Sequence, residues 1–216
     1  MGLSIVANVT KPGARRVARV SCVLLAAGGS KRLGRPKQLV HRGNRPLLLG
    51  ALAAARGALG SEHATVVVLG AGALWLRYLL RCAARRKPNK AASPRVAYNA
   101  LWRAGLAGSL RVGLDALPRT ARAALVMVVD QPNVDAATLS RLIAAWRKRP
   151  GVPAAAHYAG HPGVPAILPR RLWHAARSLE GDVGARALLR NAPDIALVEM
   201  PEAELDVDTA EDLARL

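Results

Sequence analysis

The 216 residues include no phenylalanine, and aromatic residues of every kind amount to 3%. With so few rings, no platform for stacking nucleic-acid bases is visible, and no nucleic-acid motif accompanies the cations. Nucleic acid is therefore not the expected partner. The core has to be filled by Leu, Val, Ala and four Trp. Cysteine is nearly absent as well. Cys22 and Cys82 have no partner at metal-binding spacing, which argues against a zinc site and leaves two reduced thiols of a cytoplasmic protein. No apolar run approaches the roughly 18 residues of a membrane helix, so neither a membrane span nor a membrane partner is expected. The opening MGLSIVANVTKPGARRVARV lacks the apolar stretch and cleavage site of a secretory signal. Val6 stands where N-myristoylation needs Ser or Thr.

Acids are scarce in one half only. Through residue 114 the chain carries 20 Lys and Arg against a single acid, Glu62; the remaining 102 residues carry 12 against 13. The formal net charge of +18 thus belongs to the first half. Such a half can attract polyphosphates, nucleic acid or an anionic membrane, or else is simply a solvated basic surface. The five histidines, at 41, 63, 157, 161 and 174, show neither ligand spacing nor a triad, and read as structural or surface residues.

What is present is an alternation of apolar runs and helical patterns. Val20–Ala26, Thr65–Leu69 and Ala123–Val129 are continuous apolar runs of strand length. Arg95–Tyr98 and Ile195–Glu199 read as shorter strands, and 152–158 and 164–168 as a pair joined by a turn around Gly160, Pro162 and Gly163. Helical patterns open at Pro46 and run over 74–85, 106–117 and 134–148, with two more near 170–179 and 182–191. Asp208-Thr209-Ala210-Glu211 reads as a capping box opening the last helix. Strands apolar on both faces, alternating with helices, predict a mostly parallel, Rossmann-like sheet in a three-layer α/β/α sandwich with an antiparallel addition. Residues 1–19 read as a flexible basic extension, and 20–216 as one domain.

Open α/β sheets bind ligands beyond the carboxyl ends of their strands. The first strand ends there in VLLAAGGSKRLGRPKQL. Gly28 and Gly29 can turn successive N–H groups toward an anion, and Arg32 and Lys37 can clamp phosphate oxygens. This is not a Walker A loop, because Arg-Pro follows Gly34 where Lys-Ser/Thr is required. VVVLGAGALW resembles the start of a dinucleotide fingerprint, yet Trp75 replaces the third glycine and no acid occurs between Glu62 and Asp115 to hold a ribose. In MVVDQP, Asp130 ends a buried strand and suits Mg²⁺, which favours one or two carboxylates plus substrate phosphates. In ELDVDTAED, Asp206 and Asp208 alternate with Val207 and share a face. They either complete a metal site with Asp130, or Asp208 serves as a helix cap.

With these residues in place, Leu25-Ala26-Ala27-Gly28-Gly29-Ser30-Lys31-Arg32-Leu33-Gly34-x-x-Lys37 resembles the signature loop of nucleotidyltransferases of the nucleotide-diphospho-sugar transferase superfamily. Within it the chain is most similar to molybdenum-cofactor cytidylyltransferases. Asn99, Gly105 and Gly108-Ser109-Leu110-Arg111 are similar to the family's ribose- and base-side segment, and Asp130-Gln131-Pro132 to its metal-binding turn. Gly163-Val164-Pro165 and Gly181-Asp182-Val183-Gly184-Ala185-Arg186 resemble its acceptor-side motifs, and Asp206-Val207-Asp208-Thr209-x-Glu211-Asp212 its C-terminal signature. Ala27 and Gln131 follow the cytidylyl members. Trp102-Arg103-Ala104 departs from the family, which commonly places an acid there.

The resemblance implies an enzyme that transfers a nucleotidyl group from CTP or another NTP to a phosphorylated acceptor, molybdopterin or its molybdenum form, releasing pyrophosphate. It implies Mg²⁺ on Asp130 with Asp206 or Asp208. Arg32 and the Gly28–Ser30 backbone then hold the outer phosphates, and Lys37 the α-phosphate. Leu25 to Ser30 with Asn99, Gly108 and Ser109 surround the nucleotide. A molybdoenzyme or its chaperone is the partner protein the family implies. Transfer to a sugar or polyol phosphate, and a non-catalytic nucleotide- or RNA-binding protein, stand as alternatives.

Overall fold

The structure, a computed structural model, describes residues 19–60, 63–85 and 93–216. The expected extension over 1–19 lies outside the described residues, save for Arg19.

The apolar runs form the centre of the molecule. β1 (Val20–Ala26), β4 (Thr65–Leu69) and β6 (Ala123–Val128) are parallel neighbours, with β1 in the middle, and β5 (Arg95–Tyr98) adds in parallel outside β4. A short hairpin, β2 (His41–Arg42) and β3 (Arg45–Pro46), stands apart from the main sheet. Beyond β6 the direction reverses. β8 (His161–Pro169) runs antiparallel to both β6 and β7 (Ala154–Tyr158), and β9 (Ala196–Glu199) closes the edge parallel to β7. The order of the seven strands is β5-β4-β1-β6-β8-β7-β9. This is the expected mostly parallel sheet with its antiparallel addition.

Alternate residues of one strand feed two cores. Cys22 and Leu24 face α1 (Leu47–Leu59), α2 (Ala73–Arg85) and α4 (Ala136–Lys148). Val23 and Leu25 face α3 (Leu106–Asp115) and α5 (Ala185–Arg190). A strand covered on both faces has no polar side, which is why β1, β4 and most of β6 are apolar throughout. In the absence of Phe, close approach replaces bulk. A Cβ on Gly113 would stand 2.3 Å from Val23, and one on Gly57 2.7 Å from Ala136, so α3 lies hard against the sheet and α1 against α4. Trp146 fills the largest fully buried position.

Four local expectations are corrected. The β7–β8 turn is the two-residue Ala159-Gly160, both at positive φ (50° and 77°), so His161, Pro162 and Gly163 belong to the strand. Primed turns of this hand match the twist of paired strands. The helix expected over 170–179 is two short 3₁₀ pieces, Arg170–Leu172 and Ala175–Ser178. The helix expected over 182–191 shrinks to α5. The last helix, α6 (Ala210–Leu213), is capped by Thr209 with Asp212 rather than by Asp208 with Glu211. The Asp208 carboxylate is engaged elsewhere, as shown below.

Leu125 is wholly buried and paired on both sides, with Cys22 and with Ile167. Leu125→Ala should cost about 3 kcal/mol, within the usual range for such truncations. Urea unfolding should show a lower midpoint with an unchanged slope; an unchanged midpoint would contradict this burial.

Candidate active site

The loop after β1 leaves the sheet at its carboxyl rim and returns as a 3₁₀ turn, Lys37–Leu39. Local bonds hold it shut. Lys37 N–H donates to Ser30 Oγ at 3.0 Å, and Gly34 N–H to the Ser30 carbonyl at 3.1 Å. Ser30 sits at φ 49°, a left-handed conformation costing an L residue roughly 1–2 kcal/mol. The two bonds it accepts keep it there. Gln38, 1% exposed, donates from Nε2 to the carbonyls of Ala26 and Gly28, both at 2.9 Å. Trp102 supports the loop from outside. A Cβ on Gly29 would lie 2.7 Å from its ring, and one on Gly70 2.6 Å from its Cβ. Of the two glycines that mimic a dinucleotide fingerprint, Gly70 is thus required by packing against Trp102 and Ala27, and Gly72 by its left-handed φ of 64°.

The loop's position brings charges together. Lys37 Nζ lies 2.5 Å from Asp130 Oδ2 and 2.8 Å from Asp208 Oδ1. Arg32 reaches the other Asp208 oxygen at 2.7 Å. The Lys37 and Asp130 side chains are largely buried, at 13% and 17% exposure, whereas Arg32 is 71% exposed. Burial pulls the Lys37 ammonium toward neutrality, but Asp130 and then Asp208 outweigh it and hold its pKa above the ordinary value. Asp206 keeps a solvent-exposed flank. Even so, burial of its carboxyl, followed by repulsion from Asp130 and Asp208, pushes its pKa up to about 6 against the pull of Lys37. The three aspartates expected to converge are therefore close enough to repel one another.

This donor set suits a hard divalent cation, because it is all oxygen. Asp130 Oδ1 is buried and accepts no hydrogen bond, an orphan with a full desolvation cost. Among the described residues no three His, Cys, Asp or Glu side chains form a ready-made metal cage. Lys37 Nζ stands between Asp130 and Asp208. One or two carboxylates completed by substrate phosphates is the usual Mg²⁺ arrangement.

Beside this cluster opens a cavity of about 340 Å³. Leu25, Ala26, Ala27, Gly28 and Gly29 wall it, with Lys37, Ser109 and Asp130; Lys31, Gln38, Trp102, Arg103 and Asp182 are among its other walls. Ser30, Arg32, Asn99, Gly108, Asp206 and Asp208 are not among its walls. Asn99 turns inward, donating to Ser109 Oγ at 3.0 Å and accepting from Leu101 N–H at 3.0 Å. It orients Ser109 instead of facing the cavity. Gln131, read in the sequence as a nucleotide marker, is 6% exposed and donates to the carbonyls of Val164 and Ala203. A larger cavity, about 580 Å³, opens between the β2–β3 hairpin and the start of α4, but Lys37, Asp130, Asp206 and Asp208 are not in its walls. Gln38 escaped sequence reasoning, its one signal being an amide directly after Lys37.

Folding raises the Asp206 pKa above its ordinary 3.8. The stability it contributes is fully present below about 3.8 and is lost as pH rises through about 6. Asp206→Asn has no such charge to acquire. In metal-free buffer it should gain on the wild type in urea midpoint between about pH 4 and pH 7. A difference that stays flat with pH would contradict the raised pKa.

Comparison with known proteins bears on this geometry. The model of the MobA-like NTP transferase domain matches residues 22–197. Nicotine blue oxidoreductase of Paenarthrobacter nicotinovorans is 36% identical over 210 residues, covering 91% of this chain and 96% of that protein. The crystal structure of Rv0371c from Mycobacterium tuberculosis is 28% identical, with a TM-score of 0.72 over 91% of this chain and 97% of that one. A manganese complex of Rv0371c matches at 27% identity and a TM-score of 0.68, covering 92% and 97%. A nucleotidyl transferase of Methanothermobacter shares the fold, at 19% identity and a TM-score of 0.71 over 91% and 95%. With that family model spanning most of the chain, the protein belongs to the MobA-like NTP transferases and is a nucleotidyltransferase enzyme.

Proposed function

We propose that the protein transfers a nucleotidyl group, cytidylyl first among them, from an NTP to a phosphorylated small acceptor in the presence of Mg²⁺, releasing pyrophosphate. The observation that carries this reading is the buried Lys37 bridge between Asp130 and Asp208 at the mouth of a nucleotide-sized cavity. The family resemblance supports molybdopterin or the molybdenum cofactor as acceptor, with sugar and polyol phosphates next. A molybdoenzyme or chaperone partner comes from the same resemblance, and a cytoplasmic location from the two free thiols.

Asp130, with Asp206 or Asp208, would hold the metal. When bound, it supplies charge neutralisation to the triphosphate. The chain does the rest by positioning and electrostatics, as phosphoryl-type transfers require. The cradle from Gly28 to Ser30 would direct backbone N–H groups at phosphate oxygens. Arg32, 71% exposed and paired with Asp208, can swing onto the outer phosphates. Lys37 would exchange its carboxylates for the α-phosphate, where negative charge grows during transfer. An ionised acceptor phosphate attacks the α-phosphorus, the bond to the bridging oxygen breaks, and pyrophosphate carries away the electron pair. No general base is needed, in keeping with histidines that lie elsewhere.

A second reading follows from the name of the Paenarthrobacter relative, a redox activity. Hydride transfer asks for no metal, and three carboxylates beside a dinucleotide pyrophosphate would oppose binding. Nucleotidyl transfer therefore leads.

Pyrophosphate release with CTP, Mg²⁺ and molybdopterin should fall roughly 10²–10³-fold in Lys37→Ala, the usual cost of one transition-state contact, and further in Asp130→Asn. Circular dichroism should stay unchanged. Turnover surviving in Asp130→Asn would sink the metal assignment. Reduction of nicotine blue at the expense of NADH or NADPH, with no pyrophosphate from any triphosphate, would favour the redox reading.

A further inference from the structure

Six of the nine large hydrophobic side chains exposed among the described residues lie in two short segments. Leu74 (82%), Trp75 (74%) and Tyr78 (67%) sit on α2; Val96 (40%), Tyr98 (60%) and Leu101 (74%) sit on and after β5. The fold brings four of them together. β5 is the free edge of the sheet, and a groove of about 630 Å³ is lined jointly by Leu74, Trp75, Arg77, Val96 and Tyr98. Of α2, only Leu76 and Leu80 are buried. Its outer face is apolar at the start and carries exposed Arg77, Arg81 and Arg85 further along.

The surrounding charge is of one sign. Among the described residues from 70 to 104 stand five arginines, at 77, 81, 85, 95 and 103, and no Asp or Glu. Exposed apolar groups clustered on this scale mark an interaction surface. Its chemistry narrows the partner. Single-stranded nucleic acid would use the rings and the cations but has no use for Leu74, Leu101 and Val96. A second copy would set arginine against arginine. A folded protein of ordinary composition carries cations among its acids and would meet part of this rim with repulsion. An anionic bilayer offers negative headgroups everywhere, over an apolar interior in which Trp and Tyr favour the boundary.

We propose that this face docks on an anionic lipid surface. Leu74, Trp75 and Tyr98 enter the interface, and Arg77 and Arg81 meet the headgroups. No helix among the described residues is long and apolar enough to cross a membrane, so the contact is interfacial. The early expectation of no membrane rested on the lack of a spanning run, which does not bear on a helix lying in the surface.

The test is co-sedimentation of the full chain with vesicles of phosphatidylcholine alone, and with roughly 30% phosphatidylglycerol added. The protein should pellet with the anionic vesicles only, with its tryptophan emission shifted to the blue. Leu74→Ala/Trp75→Ala should weaken pelleting about tenfold or more, because the apolar share of interfacial binding scales with buried area. Both side chains are exposed, so the variant should keep its circular dichroism and its unfolding midpoint. Arg77→Glu/Arg81→Glu should weaken it too, more at low salt than at high. Four results overturn the proposal: no pelleting with anionic vesicles; pelleting indifferent to Leu74→Ala/Trp75→Ala, which would leave only general attraction by the basic half; binding of a dT15 oligonucleotide with the same dependence on Trp75; or sedimentation-velocity dimers lost in that double variant.

Discussion

One ammonium group organises the site. Lys37 Nζ joins Asp130 and Asp208, residues 93 and 171 positions away in sequence. Through it the loop after β1, the end of β6 and the segment after β9 meet at one point of the sheet's rim. The arrangement is electrostatically incomplete, since Asp130 Oδ1 has no hydrogen-bond partner and burial and neighbouring carboxylates push the Asp206 pKa up to about 6. Removing one partner from a buried pair costs more than the pair contributes, because a charge stays behind. On the proposed function, a divalent cation bound to these carboxylates would release Lys37.

Its precision depends on packing without large rings. Small residues let α3 touch β1 and let the glycine loop lie against Trp102. Trp102 then serves two purposes. Its ring walls the nucleotide-side cavity, while its Cβ and Cγ press on Gly70, which lines the groove of the proposed lipid face. Both concavities lie at the carboxyl ends of parallel strands, where such sheets generally place their sites.

Much of this was legible in the sequence. Apolar runs with no polar face require cover on both sides, so β1, β4 and β6 announced the three layers. The basic glycine loop and Asp130 each stood at a strand end and were found there. What escaped depends on distant partners. The inward bonds of Gln38, Asn99 and Gln131 end mostly on backbone carbonyls and neighbouring side chains, which no spacing rule encodes. Asp208 read equally well as a cap, but the tertiary ion pair with Lys37 and Arg32 claims it, so Thr209 and Asp212 close the helix instead. The low aromatic count was a fair composition statement and a poor guide to surface. Trp75 and Tyr98 stand 23 positions apart, and only the placement of β5 beside β4 puts them in one groove.

The central claim is that Lys37 holds a place that a divalent cation and a triphosphate take over. A crystal structure with Mg²⁺ and a non-transferable CTP analogue tests it most directly. The account predicts a metal on Asp130, and Lys37 Nζ moved from both carboxylates onto a phosphate oxygen in the Gly28–Ser30 cradle. Nucleotide bound elsewhere, or bound in the cradle without metal while Lys37 still bridges Asp130 and Asp208, would contradict it.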